Sequence, residues 1–125
     1  MRCISLIVVF FLLFACGIPM GDRIDSNNLQ VYYLDGVTKK TATDFARYWI
    51  NNGFVGERKQ VIQLEKEKEV YKVKLIERAM YHQQPLSIDE QAKLQELKRN
   101  LESDVFNART IIIITDNTFR PIERK

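Results

Sequence analysis

The chain is poor in cysteine, histidine and glycine, and each shortage excludes a class of protein. Its 125 residues include only two cysteines, and Cys3 lies in an apolar leader, so the sequence does not suit a disulfide-stabilised fold. His82 is the only histidine and has glutamines beside it, so the common zinc-binding sets are missing. The five glycines are scattered, and no phosphate-binding, zinc-protease or serine-hydrolase motif occurs. The sequence therefore predicts no catalytic residue, no metal site and no cofactor.

The charges are nearly balanced, with 19 basic and 16 acidic residues and a formal net charge of +3. Neither sign dominates, so nothing favours electrostatic binding of nucleic acid or of an acidic substrate. Tyr32, Tyr33 and Tyr71 fall on predicted strands, but the aromatic strand motif of RNA-recognition domains is missing. We therefore expect no nucleic-acid partner.

The N-terminus has the pattern of an export signal. Arg2 supplies a positive charge, and an apolar stretch interrupted only by Ser5 follows it up to residue 14. Extended to residue 20, this stretch is about as long as the shortest membrane-spanning helix, and Gly17 and Pro19 weaken its last turn. The sequence therefore predicts an exported protein, and a retained transmembrane anchor is the alternative.

A short motif at the end of this leader indicates how the protein is held in the envelope. Leu13, Phe14, Ala15 and Cys16, followed by Gly17, resemble the lipobox of bacterial lipoproteins. This resemblance implies that the Cys16 thiol receives a diacylglyceryl group, that the bond after Ala15 is cut, and that the new amine is acylated. Several acyl chains anchor a protein stably in a membrane. The alternative is that Cys16 is an ordinary small residue in a signal peptide that is cut further on.

The predicted domain organisation follows from this motif. Residues 1–15 are assigned to the signal peptide, residues 16–28 to the lipidated N-terminus and a flexible tether, and residues 29–125 to one domain. If the source is a bacterium with two membranes, the resemblance further implies that Gly17 after a lipidated Cys16 directs the protein to the periplasmic side of the outer membrane.

The folded segment shows alternating strand and helix patterns. Residues 29–34 read as a strand, and an apolar stripe from Ala42 to Ile50 predicts a helix that includes Phe45, Ala46 and Trp49. Thr41 is the predicted cap of this helix, and the Asp44 carboxylate three residues later favours the positive end of the helix. Thr38 is an alternative cap one turn earlier.

The second half of the domain repeats this alternation. Two strands over about residues 59–65 and 70–80 flank a polar hairpin at residues 65–69. Ser87 and Glu90 form a capping-box pattern that opens a helix ending near residue 106, and residues 110–115 form a last strand. The order β-α-β-β-α-β predicts an α+β fold, a four-stranded antiparallel sheet with two helices on one face, in a ferredoxin-like arrangement. In this scheme Asp35 and Asp116 are turn residues at strand ends rather than catalytic groups.

The last strand contains four consecutive isoleucines and predicts an interaction face. Ile111 and Ile113 point to one side of the sheet, and Ile112 and Ile114 to the other, but two helices cover only one side. We expect a protein partner or a second copy to cover the remaining side. The alternatives are a bent sheet, a cover formed by the tail around Phe119, and contact with the membrane.

Together these features predict a lipid-anchored cell-envelope protein that acts as a non-catalytic interaction or accessory module. Its expected partners are the membrane, through the acyl chains on Cys16, and either another protein or a further copy of itself. The alternative is a small-ligand-binding protein or an enzyme with a cleft at a strand end. A deep pocket with converging polar groups would favour this alternative.

Overall fold

The computed structural model describes residues 21–77 and 84–122 of the chain. The candidate lipidation site at Cys16, its neighbour Ala15, and His82 lie outside these residues. The described part contains the following elements: β1 (Asp22–Ser26), β2 (Leu29–Tyr33), α1 (Lys39–Asn51), β3 (Gln60–Glu67), β4 (Val70–Ile76), α2 (Ile88–Leu101) and β5 (Thr110–Thr115).

The strands form one mixed sheet in which spatial order follows chain order, β1-β2-β3-β4-β5. The pairs β1–β2 and β3–β4 are antiparallel hairpins, whereas β2–β3 and β4–β5 are parallel. The predicted four-stranded antiparallel, ferredoxin-like sheet is therefore wrong. Each helix connects two neighbouring parallel strands, because a parallel pair needs a long crossover that brings the chain back to the same end of the sheet.

The additional strand, β1, lies within residues 16–28, the segment assigned to a flexible tether. It pairs with β2 from Asp22, opposite Tyr33, to Ser26, opposite Leu29. Asn27 makes the turn with a φ of 53°, a conformation that asparagine tolerates better than most residues. The strand pattern was missed because only Ile24 in this strand is apolar, so the alternation of a half-buried strand is too short to recognise.

Helix α1 begins one turn earlier than the predicted cap at Thr41 implies, at the alternative cap Thr38. The Thr38 hydroxyl accepts a hydrogen bond from the Thr41 backbone N–H at 3.1 Å, so Thr38 is the cap and Thr41 lies in the first turn. The buried residues of this helix are Ala42, Phe45, Ala46 and Trp49, which confirms the predicted apolar stripe.

Helix α2 confirms the predicted capping box. Ser87 Oγ accepts from the Glu90 N–H at 3.1 Å, and Glu90 Oε1 accepts from the Ser87 N–H at 3.2 Å. The helix continues through a π-helical turn, Glu102–Phe106, and ends at Asn107, where φ is 50°.

The core lies between the helices and one face of the sheet. The Phe106 ring stacks on Tyr71 of β4 at 4.4 Å and on Phe45 of α1 at 6.0 Å, measured between ring centroids. Both helical segments thus contribute to one cluster, which also contains Leu29, Val31, Ile62, Leu64, Val73, Trp49 and Leu101. No helix of residues 21–77 and 84–122 packs on the opposite side, which is called here the helix-free face. It carries the in-register row Tyr32, Gln63, Lys74 and Ile113.

Candidate functional site

The four isoleucines of β5 lie in different surroundings. Ile112 packs against the core, and Ile114 shares its side of the strand. Ile111 and Ile113 point to the helix-free face, where Ile111 is 38% exposed. The strand is therefore only partly buried, and Ile111 is its most exposed residue.

The tail that follows β5 folds back over the helix-free face. Phe119 is only 7% exposed and contacts Tyr32 with 6.2 Å between ring centroids. Phe119 therefore covers the Tyr32 position of the row that Tyr32 forms with Gln63 and Lys74. Gln63, the next residue in this row, is only 3% exposed. A cover formed by the tail, one of the alternatives expected from the sequence, is thus present over part of this face.

Asp116 shapes the turn that places Phe119. Its Oδ1 accepts hydrogen bonds from the Thr118 N–H at 2.8 Å, the Thr118 hydroxyl at 2.6 Å and the Arg120 N–H at 3.1 Å. The bonds from Thr118, followed by the bond from Arg120, hold the pKa of the Asp116 carboxyl below its ordinary value. This carboxylate is a turn residue with its Oδ1 acceptor sites in use.

The charges on the helix-free face are arranged as pairs of opposite sign. Lys74 Nζ lies 2.9 Å from Glu65 and also donates to Gln63 Oε1 at 3.1 Å. Lys72 bonds Glu67, which raises the pKa of the lysine and lowers that of the carboxyl. Within the described residues this face therefore presents paired charge rather than a patch of one sign.

An apolar groove runs along the outer edge of β5, beside α2. Its volume is about 590 Å³, and Lys98 is the charged residue in its lining. Ile88 in this groove is 84% exposed. We call this feature the edge groove; its apolar lining is Leu86, Ile88, Ala92, Leu94, Ile111 and Ile112.

A second concavity lies at one end of the sheet, where β4 and β5 finish and β3 begins. This strand-end cleft has a volume of about 850 Å³, within the range of small-molecule sites. Its apolar part includes Phe54, 44% exposed, and Ile76, 38% exposed. The charged residues that line it are Glu57, Arg58, Lys59, Glu77 and Asp116.

A cleft at a strand end was expected only as the alternative, without its lining residues, because the walls of this cleft come from segments far apart in the chain. The loop before β3 and the end of β4 meet there only after the sheet has formed.

Across residues 21–77 and 84–122, no helix is long and apolar enough to cross a membrane. No three histidine, cysteine or acidic side chains of these residues come together as a metal site would require.

Comparison with known proteins identifies the domain by family. The family model AF_1994_N, described as a family N-terminal domain, matches residues 23–122, about four-fifths of the chain. The chain belongs to this family. The match begins in β1, so the strand that the sequence pattern missed is part of the family domain, and the candidate lipobox lies before it. No curated protein and no solved structure matches the chain.

Proposed function

We propose that the protein is a lipid-anchored cell-envelope protein whose AF_1994_N domain acts as a non-catalytic interaction module. The edge groove is the observation that carries the interaction role. It leaves Ile88 and Ile111 open to solvent beside an uncharged strand, and exposed apolar surface of this kind is typical of contact sites. The family description as an N-terminal domain also suits a module that works alongside other protein parts.

The anchoring half of the proposal rests on Cys16 and its neighbours. If Cys16 is lipidated, intact-mass measurement of the membrane fraction will show a chain that begins at Cys16 and carries acyl groups. Cys16→Ser should leave unprocessed precursor or release protein without lipid. Cys3→Ser is the matched control, because Cys3 lies in the leader and should not alter processing. An unmodified mature chain that begins after Cys16 would refute the anchor.

The interaction half is tested in intact cells by chemical crosslinking followed by mass spectrometry. Ile88→Lys places a charge in the edge groove at an exposed position, so it should remove crosslinks near β5 without unfolding the domain. Lys93→Glu, on an exposed part of the same helix outside the groove lining, is the control for a change of charge. Equal crosslinking of both variants and the natural protein would remove the groove from the proposal.

The strand-end cleft favours a second candidate, a small-ligand-binding protein. Its lining combines apolar side chains such as Phe54 and Ile76 with charged ones, and ligand sites likewise combine apolar walls with polar groups that orient the ligand. Ligand-observed NMR screening tests this candidate. Binding that Ile76→Asp abolishes and Ile88→Lys leaves intact would place a ligand in the cleft rather than in the edge groove.

A further inference from the structure

Helix α1 ends in a Schellman motif, a helix stop in which the residue after the cap has a positive φ. The Gly53 N–H donates to the Ile50 carbonyl at 3.0 Å, and the Phe54 N–H donates to the Trp49 carbonyl at 3.1 Å. Gly53 has a φ of 75°, and the Phe54 and Trp49 rings pack with 4.7 Å between their centroids. Glycine adopts this φ without the strain that a Cβ would cause, so the helix stop favours glycine at position 53.

The same glycine leaves the amide of its neighbour, Asn52, open to attack. Both residues are exposed, and a Cβ built on Gly53 would meet no atom within 4 Å beyond its chain neighbours. Asn52 is the only asparagine of the sequence that precedes a glycine. The backbone nitrogen of a glycine in this position reaches the amide carbon of the preceding asparagine and closes a five-membered ring. A side chain on the following residue hinders this ring closure, and Gly53 has none.

We propose that Asn52 is a site of spontaneous deamidation, and that this modification irreversibly remodels the loop that follows α1. The Gly53 backbone nitrogen attacks Cγ of Asn52, the Cγ–Nδ2 bond breaks, and ammonia leaves with the proton from the Gly53 nitrogen. Water then opens the cyclic imide at one of its two carbonyl carbons. Opening at Cγ gives aspartate, and opening at the main-chain carbon gives isoaspartate, in which the backbone runs through the former side chain.

The hydrogen bonds at the end of α1 determine when this reaction proceeds. Asn52 Nδ2 donates to the Tyr48 carbonyl at 2.8 Å, and the Gly53 N–H is held on the Ile50 carbonyl. Both reacting groups are thus engaged with the helix, so ring closure requires the last turn to open. The end of a helix opens at a much lower free-energy cost than the core. The reaction needs no ligand, partner or lipid anchor.

Isoaspartate at position 52 would change what the helix end supports. It adds a methylene group to the backbone, and its carboxylate lies at the negative end of the helix dipole, where an anion is unfavourable. The Schellman bonds of Gly53 and Phe54 then no longer fit, so the Phe54 ring should leave Trp49. Because Phe54 also lines the strand-end cleft, the modification alters one wall of this cleft.

Ageing of the full chain tests the modification site. The protein is prepared in mild detergent, kept in warm, mildly alkaline buffer and digested with trypsin, which releases residues 48–58 as one peptide. Exchange of ammonia for water should accumulate at Asn52 at least tenfold faster than at Asn51, the matched asparagine in the same peptide. Asn52→Gln should remove the modification, because a glutamine amide closes its larger ring far more slowly. Equal rates at the two asparagines, or an unmodified peptide, would overturn the proposal.

Trp49 reports the consequence for the loop, because it is the only tryptophan. Loss of the Phe54 contact should shift the Trp49 emission to longer wavelength and increase its quenching by acrylamide in the isoaspartate fraction, which peptide fragmentation identifies. The aged Asn52→Gln chain should not change. Freshly prepared Asn52→Asp supplies the charge without the longer backbone and should resemble the natural protein. Unchanged emission of the isoaspartate fraction, or an equal shift in Asn52→Asp, would overturn the remodelling by the lengthened backbone.

Discussion

Replacing Trp49 with alanine should bring the domain close to unfolding. Trp49 is 4% exposed, and its ring lies 5.2 Å from the Phe45 ring and 4.7 Å from the Phe54 ring, centroid to centroid. Removing a buried aromatic of this size costs about 3–5 kcal/mol. The lost hydrogen bond from Nε1 to Gln60 Oε1, 3.1 Å, adds little, because Gln60 is only half-buried and water can replace the donor. Small domains have a total stability of only about 5–15 kcal/mol.

Urea unfolding followed by far-UV circular dichroism measures this loss, since Trp49 is the only tryptophan and its fluorescence disappears with it. With a slope of about 1–3 kcal/mol per molar urea, the midpoint should fall by at least about 1 M. Trp49→Phe is the matched variant; it keeps a ring in the core, so a smaller loss is expected. Phe54→Ala, at a residue 44% exposed, should also cost less. A loss under about 1 kcal/mol for Trp49→Ala would refute the packing argument.

Three further predictions concern local features. Ser87→Ala removes the helix cap that bonds Glu90 and should lower the free energy of unfolding by about 0.5–2 kcal/mol in urea; no change would mean that the cap is dispensable. Phe119→Ala should uncover Tyr32 and cost about 3 kcal/mol, measured in the same way, and an unchanged midpoint would show that the tail does not hold the face closed. Because hydrogen bonds lower the pKa of Asp116 below its ordinary 3.8, its stabilisation is present above that value and is lost as the pH falls through the lower folded value. The stability difference between the natural protein and Asp116→Asn should therefore shrink between pH 6 and pH 2, and a constant difference would contradict this role.

Sequence patterns located the elements whose signals are local. The capping box at Ser87, the stripe on α1 and the uncharged run of β5 each depend on residues within a few positions of one another, and all three are confirmed. The sequence did not decide which residue caps α1, because Thr38 and Thr41 both offer a hydroxyl. The backbone at Thr38 is extended, with a ψ of 156°, and this selects it as the cap.

Features that depend on pairing between distant segments of the chain could not be predicted from local sequence patterns. The residues of β2 and β3 show that both are strands, but nothing in either one specifies a parallel partner. β1 is stabilised mainly by its ladder with β2 and buries little apolar surface of its own. The strand-end cleft likewise depends on how the loop containing Phe54 approaches Ile76, which is set by the whole sheet.

The presence of β1 changes what a lipid anchor at Cys16 would imply. Strand β1 begins at Asp22, so five residues separate it from Cys16. The last of these five, Gly21, already packs closely against β2, because a Cβ at this position would lie 2.4 Å from the Tyr33 carbonyl oxygen. The remaining four residues span about 14 Å when fully extended, at roughly 3.3–3.6 Å per residue. On the proposed anchor, the end of the sheet at Asp22 therefore lies close to the membrane surface. The strand-end cleft lies at the opposite end, where β3 begins, so anchoring leaves it open to a ligand or partner in the surrounding compartment.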